Sequence, residues 1–287
     1  MSTIQWFPGH MAKARNQVQE KLKLVDIVLE IVDARIPISS QNPMLAEIIE
    51  HKPKIMILNK ADLADPKQTE VWQAYFKQQG YASIAIDAQH KSQLPQINKV
   101  VRTVLKDKIQ KQYDKGLKLA KVRAICIGIP NVGKSTILNR LVHKNIAKTG
   151  DRPGVTKNQQ WLKVNEEFEV LDTPGILWPK FEDQTVGTKL ALLGSIKDSI
   201  YADDDVALFA LDYLKTHYAP RLLAAYKLNE ADLDQDNPDL MLFLTKKLGF
   251  KEDYDQFAQR LILDIRKGRF GRLTFEDVVL ATDTVGD

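Results

Sequence analysis

Apolar residues recur along this chain in two rhythms. Met11, Ala14, Val18 and Leu22 fall three and four apart among polar neighbours, the spacing of one face of an amphipathic helix. The run DIVLEIVDA (26–34) is nearly continuous in hydrophobicity and reads as a buried strand. A helix led by Asn42 and Pro43 and a second buried strand, KIMILNK (54–60), follow. The alternation continues with a helix over 66–79, the strand YASIAID (81–87), a long helix over 94–113 and the strand VRAICIGIP (122–130). A helix starting at Lys134 and strands around QQWLKV (159–164) and EFEVLDT (167–173) close this part. Strands alternating with helices predict a mainly parallel sheet covered on both faces.

Beyond GILWPKF (175–181) the strand signals stop. Helical patterns take over at 203–218, 238–249 and 254–268, with Gly249 and Gly268 as stop signals. Asp203, Asp204 and Asp205 read as acidic charge at a helix start rather than as a metal site. The expected architecture is an α/β domain with an N-terminal extension (1–178), followed by a smaller all-helical domain (179–287).

The 287 residues suffice for two domains, and 44% hydrophobic with 27% charged residues is ordinary for a globular chain. No apolar run reaches the roughly 18 residues of a membrane span, and the start lacks the layout of a signal peptide. Cys126, the single cysteine, lies in an apolar strand and has no disulfide partner within the chain. A cytoplasmic protein without membrane contacts is expected.

Charge is distributed unevenly. Residues 1–180 carry 28 Lys and Arg against 17 Asp and Glu, whereas residues 181–287 carry 13 against 20. A positive field suits a polyanion partner, although a solvated basic surface has the same composition. Two clusters sharpen the first reading: Lys106, Lys108, Lys111, Lys115, Lys118, Lys121 and Arg123, and RKGRFGR (266–272), where four cations surround Phe270 in a composition suited to phosphates and one stacked base.

The chemistry lies in three motifs. GIPNVGKST (128–136) fits G-x-x-x-x-G-K-[ST] and stands between a predicted strand and helix. There the backbone of Asn131, Val132, Gly133, Lys134, Ser135 and Thr136 can face a phosphate chain, the Lys134 ammonium can reach the terminal phosphates, and the Ser135 hydroxyl can ligate Mg²⁺. DTPG (172–175) ends a strand, so Asp172 can hold the Mg²⁺ shell and the Gly175 amide can approach the γ-phosphate. NKAD (59–62) selects the base: the Asp62 carboxylate matches the N1–H and amino group of guanine and is left unpaired by adenine. Asn59, Lys60 and Ala61 complete that contact, with Asn59 and the Lys60 stem expected to pin the nucleotide from its other side.

These residues resemble a translation-factor-class GTPase in which the guanine motif precedes the phosphate motif. That is the order of the circularly permuted Ras-like P-loop GTPases, and DARIP (33–37) is typical of them. The opening WFPGHMAKA (6–14) and the length make the chain similar to the bacterial ribosome-biogenesis GTPase A family, also called YlqF-like. The resemblance covers the whole chain. It implies a GTP hydrolase that uses GTP/GDP and Mg²⁺, with rRNA and proteins of the large (50S) ribosomal subunit as partners. Such a factor binds the immature subunit in its GTP state and leaves on ribosome-stimulated hydrolysis.

By family pattern Thr156, in RPGVT (152–156), is a switch residue that binds Mg²⁺. Asp87-Ala88 stands where a Ser-Ala pair usually completes the guanine contact, and Asn131 is placed as a K⁺ ligand. Ras-type proteins carry a glutamine after the DTPG-type glycine to orient the attacking water, but here Ile176 and Leu177 follow, so slow intrinsic hydrolysis is expected. On residue types alone, QWFPGHM (5–11) is a hydrophobic tether; in the family its histidine, His10, is the candidate substitute for that glutamine. His51, His90, His143 and His217 show no ligand-like spacing and read as surface or core residues. The permutation feeds the segment after Gly175 directly into the helical part, so GTP is expected to fix the placement of the two domains. A signalling switch acting on protein effectors, and a module holding GTP as a structural ligand, stay open as rivals; a kinase is a weaker one.

Overall fold

A computed structural model describes residues 11–49, 52–90, 93–117, 121–142, 160–178 and 181–278. His10 and Thr156 lie outside them. Six strands form one sheet: β1 (Ile27–Asp33), β2 (Lys54–Asn59), β3 (Ala82–Ala85), β4 (Val122–Ile127), β5 (Gln160–Asn165) and β6 (Phe168–Asp172), in the order β3-β2-β1-β4-β6-β5. All neighbours are parallel except the edge strand β5, which runs antiparallel to β6.

The unbroken hydrophobicity of β1 and β4 has a direct cause: both of their faces are covered. Val28, Ile125 and Ile127 face a cluster with Val18 and Leu22 of α1 (Met11–Leu22) and Leu45 and Ile49 of α2 (Pro43–Ile49). Leu29, Ile31, Ala124 and Cys126 face the opposite cluster, which takes in α4 (Leu94–Val104), α5 (Lys106–Asp114) and α6 (Lys134–Leu141). A third cluster beside β2 holds Trp72 and Phe76 of α3 (Pro66–Gln78). The helix expected over 94–113 is two helices meeting at buried Leu105. The second has one buried residue, Ile109, which joins the same core.

Among the described residues the C-terminal part holds helices and no strand: α7 (Gln184–Leu192), α8 (Asp203–His217), α9 (Ala219–Tyr226), α10 (Asn237–Lys247) and α11 (Tyr254–Arg266). Asp203, Asp204 and Asp205 occupy the first turn of α8, as expected. The short helices α7 and α9 were not signalled by periodicity. Leu177 and Phe181, each 1% exposed, connect the two parts as core residues, and a single apolar cluster runs from the sheet face into α8 and α11.

One expectation is overturned in part here. In RKGRFGR, Phe270 is 3% exposed and packs edge-on against Tyr226, and Arg266 donates to the carbonyls of Ala191 and Leu192. The ring is therefore a core residue and not a stacking platform for RNA, whereas Lys267, Arg269, which pairs with Asp264, and Arg272 are exposed. In the other basic cluster, Lys108 pairs with Asp26, while Lys121 and Arg123 share Glu169. No helix among the described residues is long and apolar enough to cross a membrane.

Candidate functional site

The described site segments converge at one edge of the sheet, the carboxyl ends of its parallel strands. Asp33 ends β1, Asn59 ends β2, Asp87 and Ala88 follow β3, the loop 128–133 follows β4, and Asp172 ends β6. Consecutive strands depart to opposite sides between β1 and β4, which is where α/β sheets open a crevice for a ligand.

In the phosphate loop, Gly133 caps α6 with φ 93°, and a Cβ there would stand 2.2 Å from Asn59 Nδ2, so only glycine fits. Gly175 is held as tightly, because its Cβ would lie 2.8 Å from Pro130 Cα. DTPG and the phosphate loop are therefore in backbone contact. Lys134 is 6% exposed and donates to the carbonyls of Gly128 (3.1 Å) and Ile129 (2.7 Å). Burial brings its pKa down to about 8. Ser135 and Thr136 stand in the first turn of α6.

Asp172 carries the clearest sign of a missing partner. It is fully buried, neither carboxylate oxygen has a hydrogen-bond partner among the described residues, and burial raises its pKa to about 6 despite the charge of Lys134. A hard cation is the partner such a carboxylate fits, and with the Ser135 hydroxyl the donor set is all oxygen, as Mg²⁺ requires. Asn131, at φ 62°, donates its amide to the Gly194 carbonyl at 2.5 Å and so joins the phosphate loop to the turn after α7.

The base end is built differently. Asn59 is 3% exposed; its amide donates to the Val132 carbonyl at 2.7 Å, and its Oδ1 accepts the Ala88 N–H at 3.2 Å. Asn59 thus staples the two flanking loops to the guanine motif, and Ala88 joins that staple through its amide. Lys60, at φ 60°, pairs with Asp33 at 2.9 Å, and Arg35 meets the same carboxylate at 2.8 Å. Burial alone would raise the Asp33 carboxyl, but the two cations hold it well below the usual carboxylate range. DARIP therefore supplies the anion that orients Lys60, a role its sequence did not disclose.

Asp62 faces the cleft beside Asp87 and His90, with ligand-capable atoms of all three within 4.8 Å of one another. Burial and the neighbouring Asp87 raise the Asp62 pKa. Burial acts in the same direction on Asp87, but the His90 ring and the N–H groups of Gln89 and His90 outweigh it and lower its pKa. A ligand presenting two N–H donors relieves Asp62, which is what the Watson–Crick edge of guanine offers. His90, read from sequence as a surface or core residue, is exposed and partners Asp87 three residues before it.

Ile176 departs from the cleft altogether. Its side chain is 3% exposed among Val18, Leu22 and Leu45, its N–H donates to Gly128 O, and its carbonyl accepts from Asn42. No water-orienting group occupies this position.

The family described as 50S ribosome-binding GTPase matches residues 123–253. Ribosome biogenesis GTPase A of Bacillus cereus is 52% identical over 278 residues, spanning 95% of this chain and 93% of that protein. Its namesake in Bacillus pumilus is 54% identical, with 96% and 98% covered. Among solved structures, GDP-bound TM YlqF superposes with a TM-score of 0.64 at 25% identity, covering 92% of this chain and 99% of its own. GNP-bound YlqF from T. maritima gives 0.61 at 25% identity, with 92% and 97% covered. Identity above one half along nearly the whole length, joined to GTPase motifs gathered at one sheet edge in permuted order, makes this chain a member of the YlqF-like ribosome biogenesis GTPase A family, a GTP hydrolase of ribosome biogenesis.

Proposed function

We propose that the protein is an assembly factor of the large (50S) ribosomal subunit that binds the immature particle with GTP and is released when the particle stimulates hydrolysis. The observation that carries this reading is the inward orientation of Ile176. A GTPase with an apolar, core-facing residue where water should be oriented is suited to hydrolyse slowly until a partner completes the site. The basic charge of residues 1–180 supports an RNA-rich partner.

In this reading Asp62 reads guanine, with Asn59, Lys60, Ala61, Asp87 and Ala88 shaping its pocket. The backbone of residues 131–136 and the Gly175 amide surround the phosphates, and Lys134 leaves its two carbonyl partners to meet them. Ser135, Asp172 and Thr156 would hold Mg²⁺, which would supply positive charge to the phosphates. His10 orients or deprotonates the water once a partner orders it, and Asn131 offers its amide oxygen to K⁺. The domains divide near 178, and the location is cytoplasmic.

Single-turnover GTP hydrolysis, alone and with large subunits, in K⁺ and in Na⁺, tests the proposal. Strong stimulation by large but not small subunits is expected. Its absence, with GTP still bound, favours an effector-type switch.

A further inference from the structure

The guanine motif is held from outside the GTPase part. After α11 the chain returns across the molecule, and residues 271–276 lie along residues 61–65 and 35–39. Arg272 Nη2 donates to the Ala61 carbonyl at 2.7 Å, and its Nε donates to the Ala64 carbonyl at 2.8 Å. Between them, the Leu273 N–H donates to the Leu63 carbonyl at 2.9 Å. The Asp65 N–H donates to Thr274 Oγ1 at 3.1 Å. The Phe275 N–H donates to the Arg35 carbonyl at 2.8 Å, and Glu276 accepts from the N–H groups of Ile38 (2.7 Å) and Ser39 (3.0 Å). Asp62 is thereby centred in a loop whose carbonyls on both sides are fixed by one guanidinium.

We propose that Arg272, with the strap 271–276, is a positioning residue for guanine selectivity, so that docking of the C-terminal strap and recognition of the base are thermodynamically coupled. The inference deepens the reading of Asp62 as the guanine acceptor and rests on it. A carboxylate distinguishes guanine only while it meets both N1–H and the 2-amino group, and a planar fork bonded on either side of it fixes that placement. Coupling is reciprocal: a base that fixes the loop must also hold the strap more firmly, by the same factor.

The test is equilibrium binding of GDP and inosine diphosphate, which lacks the 2-amino group, to the full chain and to Arg272→Ala and Arg272→Lys. Arg272→Ala is expected to weaken GDP about tenfold and inosine diphosphate about threefold or less, contracting the preference, with Arg272→Lys intermediate. Equal weakening of both nucleotides, or none, overturns the proposal, because a merely structural role scales both affinities alike. Hydrogen exchange on the unmodified protein is a second readout that needs no variant. The Leu273 and Phe275 amides should exchange more slowly with GDP than without it, and less so with inosine diphosphate; exchange indifferent to GDP overturns the coupling. Asp62→Asn separates the two levels. If it does not shift preference from guanosine to xanthosine diphosphate, the guanine reading itself fails; if it does while Arg272→Ala leaves the preference intact, only the strap fails.

Discussion

The two ends of the nucleotide cleft are prepared in opposite ways. At the base end nearly every polar group is already bonded: Asn59 to two loops, Lys60 and Arg35 to Asp33, Arg272 to the carbonyls flanking Asp62. At the phosphate end charge waits: among the described residues neither oxygen of buried Asp172 has a hydrogen-bond partner, and burial lowers the pKa of Lys134, whose ammonium meets only backbone carbonyls where an anion would stabilise it further. Rigid, satisfied groups confer selectivity, because they cannot adapt to the wrong base. Desolvated, poorly compensated groups confer coupling, because a ligand that compensates them changes the stability of the fold itself.

The comparison is broken most directly at Asp62. Asp62→Asn is expected to lower GTP affinity about 10³-fold or more while leaving the thermal stability of the nucleotide-free protein nearly unchanged, since the fixed loop survives and only its acceptor is lost. Calorimetric titration with a melting curve on the same sample reads both.

Asp172→Asn should show the reverse pattern. Its folded pKa of about 6 lies above the ordinary value of 3.8, so its contribution to stability is fully present below pH 3.8 and is lost as pH rises through about 6. Removing the charge is therefore expected to stabilise the nucleotide-free protein by about 2 kcal/mol at neutral pH while abolishing the Mg²⁺-dependent part of GTP binding. Denaturant unfolding without nucleotide, and GTP titrations with and without Mg²⁺, test the two halves. In the unmodified protein the same proton competes with the metal, so Mg²⁺-dependent affinity should be roughly tenfold weaker at pH 5 than at pH 7, and a flat profile would remove Asp172 from the metal shell.

Much of this was legible in residue order. The alternation of buried runs and amphipathic helices gave the sheet, and the three motifs located the cleft, because strand ends and glycine turns are local features. The long-range partners were not legible. RKGRFGR has the composition of an RNA contact, and nothing local says that Phe270 meets Tyr226 or that Arg272 meets residues 61 and 64. DARIP identified a family without revealing that Asp33 orients Lys60, because that pairing is set by the register of β1 against β2, where Asp33 stands opposite Asn59. Helices α7 and α9 escaped because they are short, and their stability comes from the shared core rather than from their own periodicity.

The smallest effect on rate belongs to the residue that most resembles a defect. Restoring the water-orienting glutamine of other GTPases, as Ile176→Gln, would be expected to speed hydrolysis if that side chain lined the cleft. It does not: Ile176 packs against α1 and α2, and its backbone is fixed on both sides by Gly128 and Asn42. The substitution should therefore bury an amide among apolar residues, destabilise the protein by about 1–3 kcal/mol, and leave intrinsic single-turnover hydrolysis within a few-fold of the original. A large acceleration would mean that the segment after Gly175 turns over when GTP binds, and would move the missing catalytic function from a partner-ordered group to this loop.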